Sequence, residues 1–144
     1  MTAIHRFVES ARAGTLERVV GRVPSGWVVL GDPQILPGYC LLLPDPVVAD
    51  LHMLGADARR QFLEDMVRVG VAVLQVTGAE RLNYEMLGNV EPALHAHVIP
   101  RYGWEPEQRR RQPVWLHDWA AAPPFDAAAH AALREQLADH LRTG

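Results

Sequence analysis

Two histidines separated by one residue are the part of this sequence best suited to chemistry. They lie in the stretch 91–101, which reads EPALHAHVIPR. Small or polar residues alternate there with apolar ones, and this alternation predicts a strand over 93–99. Because alternate residues of a strand share a face, we expect Ala93, His95 and His97 to point the same way. Two adjacent imidazoles followed by Arg101 are suited to chemistry on a phosphate.

The spacing of His95 and His97 is compatible with three interpretations. The two side chains can simply face solvent on a half-exposed strand. They can ligate a metal, although the other histidines are scattered and the chain has a single cysteine. Alternatively, one neutral imidazole acts as a nucleophile, since its unperturbed pKa is about 6.5. That chemistry requires an acceptor on the other ring nitrogen, which fixes the tautomer.

Composition predicts one soluble globular domain without a nucleic-acid or membrane partner. The chain has 144 residues, 49% hydrophobic and 22% charged, with a formal net charge of -3. That charge gives no general electrostatic reason to bind nucleic acid or anionic membrane. The single Cys40 excludes an internal disulfide, and its apolar surroundings predict a buried strand rather than a catalytic thiol. No segment resembles a leader or a membrane span, so we expect a cytoplasmic protein.

The order of predicted elements indicates an α+β fold. We expect an antiparallel sheet of about five strands with helices on one side, one of them long. The predicted helices are 3–13, 56–76 and 126–141, with a helical turn at 50–54, and the predicted strands are 16–23, 27–30, 39–43, 81–87 and 93–99.

The composition changes after residue 104. We therefore expect one domain over 1–104, including the N-terminal helix, and a C-terminal extension over 105–144 packed on it. Residues 105–113 are charged and predict an exposed loop, whose three arginines at 109–111 are more typical of a solvated segment than of a nucleic-acid site. Asp126 is the expected cap of the last helix.

The run from Leu94 to Arg101 resembles the signature strand of the histidine triad (HIT) superfamily of nucleotide hydrolases and transferases. That signature is His-φ-His-φ-His-φ-φ, often followed by Pro-Arg. The resemblance covers roughly residues 16–104. Its other matching features are Asp32 before a loop, Pro37-Gly38-Tyr39 where the family usually has Pro-Gly-His, Pro44, the long helix 56–76, Asn83, and Gly88-Asn89 where Gly-Gln is common.

The resemblance implies roles for the two histidines. In the family register His95 is the central histidine, which becomes nucleotidylated, and His97 is the third, which contacts phosphate and supports the transition state. The first triad position is Ala93, so one hydrogen bond of the family site is lost. Val90 replaces the hydroxyl residue expected two positions before Pro92, which removes a partner for the leaving group.

Three further residues are expected to bind substrate by the same resemblance, and Arg101 is a fourth candidate. Asn83 matches an asparagine that contacts phosphate, and Asn89 replaces the usual glutamine with a shorter side chain. Asp32 lies near the position of a ribose-binding acid. Arg101 is a candidate phosphate contact, or alternatively a structural partner for an acid.

These features lead to a functional hypothesis. The resemblance implies hydrolysis or transfer of a nucleotidyl group at the α-phosphate of a purine nucleotide derivative, through a covalent nucleotidyl-histidine. Candidate substrates are dinucleoside polyphosphates and nucleoside phosphoramidates. No cofactor or protein-bound metal is expected, although a polyphosphate substrate can carry Mg²⁺, and a homodimer is expected. The alternatives are a nucleotide-binding regulatory module without turnover and a metal-dependent hydrolase that uses His95 and His97.

Overall fold

The computed structural model of the chain describes residues 1–143 and has a five-stranded antiparallel sheet at its centre. The strand order is β1-β2-β3-β5-β4, so β5 lies inside the sheet and β4 at its edge. The strands are β1 (Val19–Val23), β2 (Gly26–Leu30), β3 (Cys40–Pro44), β4 (Arg81–Glu85) and β5 (Ala96–Arg101). The predicted α+β fold is confirmed.

The inner face of the sheet packs on the long helix α2 (Ala56–Thr77) and on the C-terminal helix α4 (Ala131–Thr143). Helix α2 ends where Gly78 adopts a left-handed conformation, with φ of 69°. Helix α4 starts later than predicted, because the chain after Asp126 first forms a turn in which the His130 N–H bonds to the Asp126 carbonyl. The residues of these helices that lie in the core are Phe62, Met66, Val69, Ala72, Val73 and Leu137.

The first helix, α1 (Ala3–Ala13), packs on the outer face of the sheet. Ile4 and Val8 contact Val29 and Leu43, which alternate along their strands with the residues that face α2. The expectation that all helices lie on one side is therefore wrong. Hydrophobic periodicity identifies the apolar stripe of a helix but not the face of the sheet that the stripe covers.

The C-terminal segment also crosses the outer face before it reaches α4. It contains the short helix α3 (Glu107–Arg110) and two 3₁₀ turns, Val114–Leu116 and Trp119–Ala121. The expected loop 105–113 thus contains a helical turn. Val114 is fully buried in a cluster with residues on and beside β3 and β5, namely Leu36, Tyr39, Ile99 and Tyr102. This segment covers the part of the sheet next to the histidines.

The strand that carries the histidine motif starts three residues later than predicted. Its last pair with β3 joins Ala96 to Leu42, and the preceding Leu94 N–H bonds instead to the carbonyl of Val48, 2.8 Å away. His95 therefore lies immediately before β5, so the alternation of side chains between the two faces of a regular strand does not fix the direction of its side chain. Within residues 1–143 no helix is long and apolar enough to cross a membrane.

Candidate active site

His95 and His97 form one compact pair despite the later start of the strand. Their ring centroids are 4.8 Å apart and the ring planes meet at 73°. Only 7% of His95 and 9% of His97 is exposed to solvent. The interpretation of two solvent-facing histidines is therefore wrong. Among residues 1–143, no group of three or more His, Cys, Asp or Glu side chains is placed to hold a metal ion.

The tautomer of His95 is set by a backbone hydrogen bond. Its Nδ1 atom lies 2.7 Å from the carbonyl oxygen of Ala93. Because a carbonyl oxygen only accepts, Nδ1 carries the proton, and in a neutral ring the lone pair is on Nε2. That Nε2 atom has no hydrogen-bond partner within residues 1–143 and is not fully enclosed. This is the arrangement that a nucleophilic imidazole requires.

His97 is held between two aromatic side chains. The hydroxyl of Tyr39 lies 2.7 Å from Nδ1 of His97. The rings of Trp115 and His97 pack edge to face, with centroids 4.8 Å apart and an interplanar angle of 80°. Burial, together with the neighbouring His95, lowers the pKa of His97 to about 4. His97 is therefore neutral at pH 7 and can act there as a hydrogen-bond donor but not as a cation.

An open cleft of ≈ 490 Å³ lies beside His95. It is lined by three segments, 49–52, 86–88 and 92–95. Asp50 is the one acidic residue among them, and none of them is an arginine. The Asp50 carboxylate accepts a hydrogen bond from the Met53 N–H and caps a 3₁₀ turn, Leu51–Met53. Asn89 follows the lining residue Gly88 and is exposed.

Asn83 and Arg101 lie together on the outer face of β4 and β5. Asn83 pairs with Ile99, one step along the same face from the pair that Glu85 forms with His97. The Arg101 guanidinium donates to Oδ1 of Asn83 over 2.9 Å.

Arg101 is buried and has no free donor. Its remaining bonds go to the Glu105 carboxylate and to the carbonyls of Arg109 and Gln112. With the bond to Asn83 these contacts use all five N–H groups that an arginine has. The predicted phosphate contact of Arg101 would require one of these bonds to break.

Glu105 connects Arg101 to the C-terminal segment. Burial favours a raised pKa for this carboxyl, but hydrogen bonds from Arg101, the Tyr102 N–H and His117 outweigh it and hold the pKa below its usual value. The His117 Nε2 atom is 2.9 Å from the carboxylate. This buried ion pair therefore fastens residues 105–117 across the sheet.

Neither Asp32 nor Cys40 forms a hydrogen bond with the histidine pair within residues 1–143. The Asp32 carboxylate accepts a hydrogen bond from the Phe125 N–H over 2.9 Å, at the start of the approach to α4, so its contact with a ribose stays a prediction. Cys40 is fully buried, and burial raises the pKa of its thiol to about 12. The thiol therefore remains protonated at pH 7, in agreement with the expectation of a structural cysteine.

Three residues that touch or support His97 were not among the predicted site residues. Tyr39 was visible only as a departure from the usual Pro-Gly-His. Trp115 is 18 residues from His97 in the sequence, and its indole N–H donates to the carboxylate of Glu85, the β4 partner of His97. No local pattern could have brought Trp115 to His97 and Glu85, because these contacts form only when the C-terminal segment folds back.

Comparison with a family model decides which family the chain belongs to. The HIT domain model matches residues 17–104, which include the histidine pair. The chain belongs to the HIT family. No curated protein matches it.

Solved structures of HIT proteins resemble the whole chain. A histidine triad protein from Bradyrhizobium japonicum is 25% identical, with a TM-score of 0.75 over 91% of this chain and 95% of its own. A histidine triad protein from Marinobacter aquaeolei is 20% identical, with a TM-score of 0.77 over 99% of this chain and 98% of its own. The second shows likeness of fold alone, and both matches extend over the C-terminal segment.

We predict that Glu105→Gln destabilises the protein by about 3–5 kcal/mol at pH 7, because it leaves Arg101 buried without its counter-charge. Urea unfolding measures this loss. Glu107→Gln is the matched control, since Glu107 pairs with Arg111 at the surface and is expected to contribute no more than about 1 kcal/mol.

The same ion pair predicts a pH dependence. The pKa of Glu105 is lowered in the folded state, so its stabilisation is present above the unfolded pKa of about 4.3 and is lost as pH falls through the lower folded value. The difference between wild type and Glu105→Gln should therefore shrink as the pH falls below that unfolded value. A difference that stays constant with pH would contradict an ionised Glu105.

Proposed function

We propose that this HIT protein is a nucleotide hydrolase or nucleotidyl transferase in which His95 attacks the α-phosphate of a purine nucleotide derivative. The observation that carries the proposal is the bond between His95 Nδ1 and the Ala93 carbonyl, which leaves the Nε2 lone pair available at the cleft. Residues 17–104 match the HIT domain, and this membership supports the same chemistry. We also propose that the protein acts in the cytoplasm.

The proposed reaction has two steps. In the first, the Nε2 lone pair of His95 forms a bond to the α-phosphorus, and the bond between phosphorus and the leaving group breaks with its electron pair on the leaving group, which takes up a proton from solvent where it departs as an amine. The imidazolium that forms is stabilised by the Ala93 carbonyl at Nδ1. In the second step, water or another acceptor attacks phosphorus and loses a proton to solvent, and the electron pair of the P–N bond returns to His95. His97 contacts the non-bridging oxygens throughout.

We predict that His95→Ala abolishes turnover of a nucleoside phosphoramidate, with a loss of kcat of about 10⁴-fold or more, since the nucleophile itself is removed. His130→Ala is the control, because His130 bonds to Asp126 away from the cleft. Wild-type turnover of the phosphoramidate should persist in the presence of a chelator. Dinucleoside polyphosphate is tested with and without Mg²⁺, which belongs to that substrate rather than to the protein.

Two outcomes of this experiment would contradict the proposal. Nucleotide binding without product would favour the regulatory module. Loss of phosphoramidate turnover on chelation, restored by a transition metal, would favour the metal-dependent hydrolase.

The lining of the cleft favours one class of leaving group. A dinucleoside polyphosphate releases a nucleotide with several negative charges, and no lining residue is an arginine to balance them. The carboxylate of Asp50 would repel such a group. An amine released from a nucleoside phosphoramidate avoids this repulsion, so we infer that phosphoramidates are the better substrates.

We predict a kcat/KM at least about tenfold higher for a nucleoside phosphoramidate than for the dinucleoside polyphosphate of the same base. Asp50→Asn should reduce this difference by raising kcat/KM for the polyphosphate. Asparagine retains the ability to cap the 3₁₀ turn. Asp57→Asn, on the exposed first turn of α2, is the control. A preference for the polyphosphate in wild type would overturn this inference.

We infer that the protein forms a homodimer through β4 and α2. β4 pairs only with β5, so one row of its backbone N–H and C=O groups has no strand partner among residues 1–143. On α2, Val67 and Val71 are 44% and 46% exposed, and Tyr84 of β4 lies against the same helix at Gly70. An exposed strand edge beside an apolar helix stripe suits a symmetric contact with a second copy.

We predict that sedimentation at micromolar concentration gives a mass of twice 16.0 kDa. Val71→Glu should produce the monomer, because it places a charge in the apolar contact. Val90→Glu, at a position that is 99% exposed, should leave the dimer intact. A monomeric wild type would exclude the homodimer.

A further inference from the structure

The hydroxyl of Tyr39 is held firmly against His97. Tyr39 is 4% exposed, and its backbone N–H and carbonyl are bonded to the loop 31–36 that precedes it. Its ring lies against Gly31, where a Cβ atom would come within 2.1 Å of the ring. Any side chain at residue 31 would displace the phenol. The 2.7 Å contact between the Tyr39 hydroxyl and His97 Nδ1 is therefore built into the packing.

Counting donors and acceptors decides the direction of this hydrogen bond. Burial raises the pKa of the Tyr39 phenol, so the hydroxyl keeps its proton at pH 7. Among residues 1–143, His97 Nδ1 is the one hydrogen-bond partner of this hydroxyl. If Nδ1 carried a proton and donated it, the buried hydroxyl hydrogen would have no acceptor, at a cost of about 1–3 kcal/mol. The hydroxyl therefore donates and Nδ1 accepts.

We propose that Tyr39 is a positioning residue that fixes His97 in the tautomer with its proton on Nε2. The two neighbouring imidazoles are then held in opposite tautomers by different partners. The Ala93 carbonyl leaves a lone pair on Nε2 of His95, and the Tyr39 hydroxyl leaves an N–H on Nε2 of His97. The catalytic meaning of this arrangement rests on the proposed function.

Opposite tautomers divide the work at phosphorus between the two rings. The lone pair of His95 bonds to the phosphorus, and the Nε2–H of His97, on a ring 4.8 Å away, donates to a non-bridging oxygen whose charge grows in the transition state. With His97 in the other tautomer, two lone pairs would face the phosphate oxygens and repel them. Tyr39 thus fixes which ring nitrogen of His97 donates and which accepts. Ala93 carries only a methyl group at the first triad position, so it cannot form such a hydrogen bond with its side chain.

The tautomers are measured directly by long-range ¹H–¹⁵N NMR of the imidazoles, with His97 assigned by its absence in His97→Gln. We expect wild-type His97 to carry its proton on Nε2 at pH 7. Tyr39→Phe removes the donor and should shift His97 toward a mixture of tautomers. Tyr84→Phe is the control, because Tyr84 is partly exposed on β4 and contacts α2 instead. A proton on Nδ1 in wild type, or an unchanged spectrum in Tyr39→Phe, would overturn the proposal.

Kinetics test the catalytic consequence separately. On a nucleoside phosphoramidate, Tyr39→Phe should lower kcat by about 10- to 100-fold with KM unchanged, by analogy with the loss that follows removal of the hydrogen-bond partner that orients a metal-bound histidine. Tyr39→His, which restores a ring donor, should recover part of the loss. An unchanged kcat in Tyr39→Phe would overturn the catalytic role of the tautomer. Absence of turnover in wild type, with the expected tautomers present, would contradict the proposed function and leave the tautomer assignment intact.

Discussion

The hydrogen bond between His95 Nδ1 and the carbonyl of Ala93 is the interaction on which the site depends. It spans only two residues, yet it decides which ring nitrogen keeps a lone pair in a side chain that lines the cleft. The chain can make this bond because it has not yet entered β5 and the Leu94 N–H is bonded to Val48 instead of a sheet neighbour. The small side chain of Ala93 suits this position, because residue 93 is buried against α1.

The other half of the site depends on the C-terminal segment. His97 is neutral at pH 7 because it is buried beside His95, which lowers its pKa. Tyr39 and Trp115 pack against it, and Trp115 arrives only after the chain has crossed the outer face of the sheet. The ion pair between Arg101 and Glu105 fastens that crossing. Burying two charges costs free energy that their attraction only partly offsets, so the pair is better explained by the position it fixes than by net stability.

The sequence predicted the fold and the histidine pair well because both leave local patterns. Strands, the long helix and the HIT signature are visible in periodicity and spacing. The predicted start of β5 and the predicted side of the sheet for α1 were wrong. Both depend on tertiary packing: the first on the backbone bond to Val48, the second on the sheet face that α1 covers. The contact between Tyr39 and His97 spans 58 residues, and only the folded chain reveals it.

The position of the covalent intermediate tests the role of His95 most directly. Wild-type protein is mixed with a nucleoside phosphoramidate and quenched within one turnover. Peptide mass spectrometry then identifies the modified residue, and ³¹P–¹⁵N coupling in labelled protein identifies the modified nitrogen. We expect a nucleotidyl group on Nε2 of His95. A group on Nδ1 of His95, or on His97, would contradict the role assigned to His95.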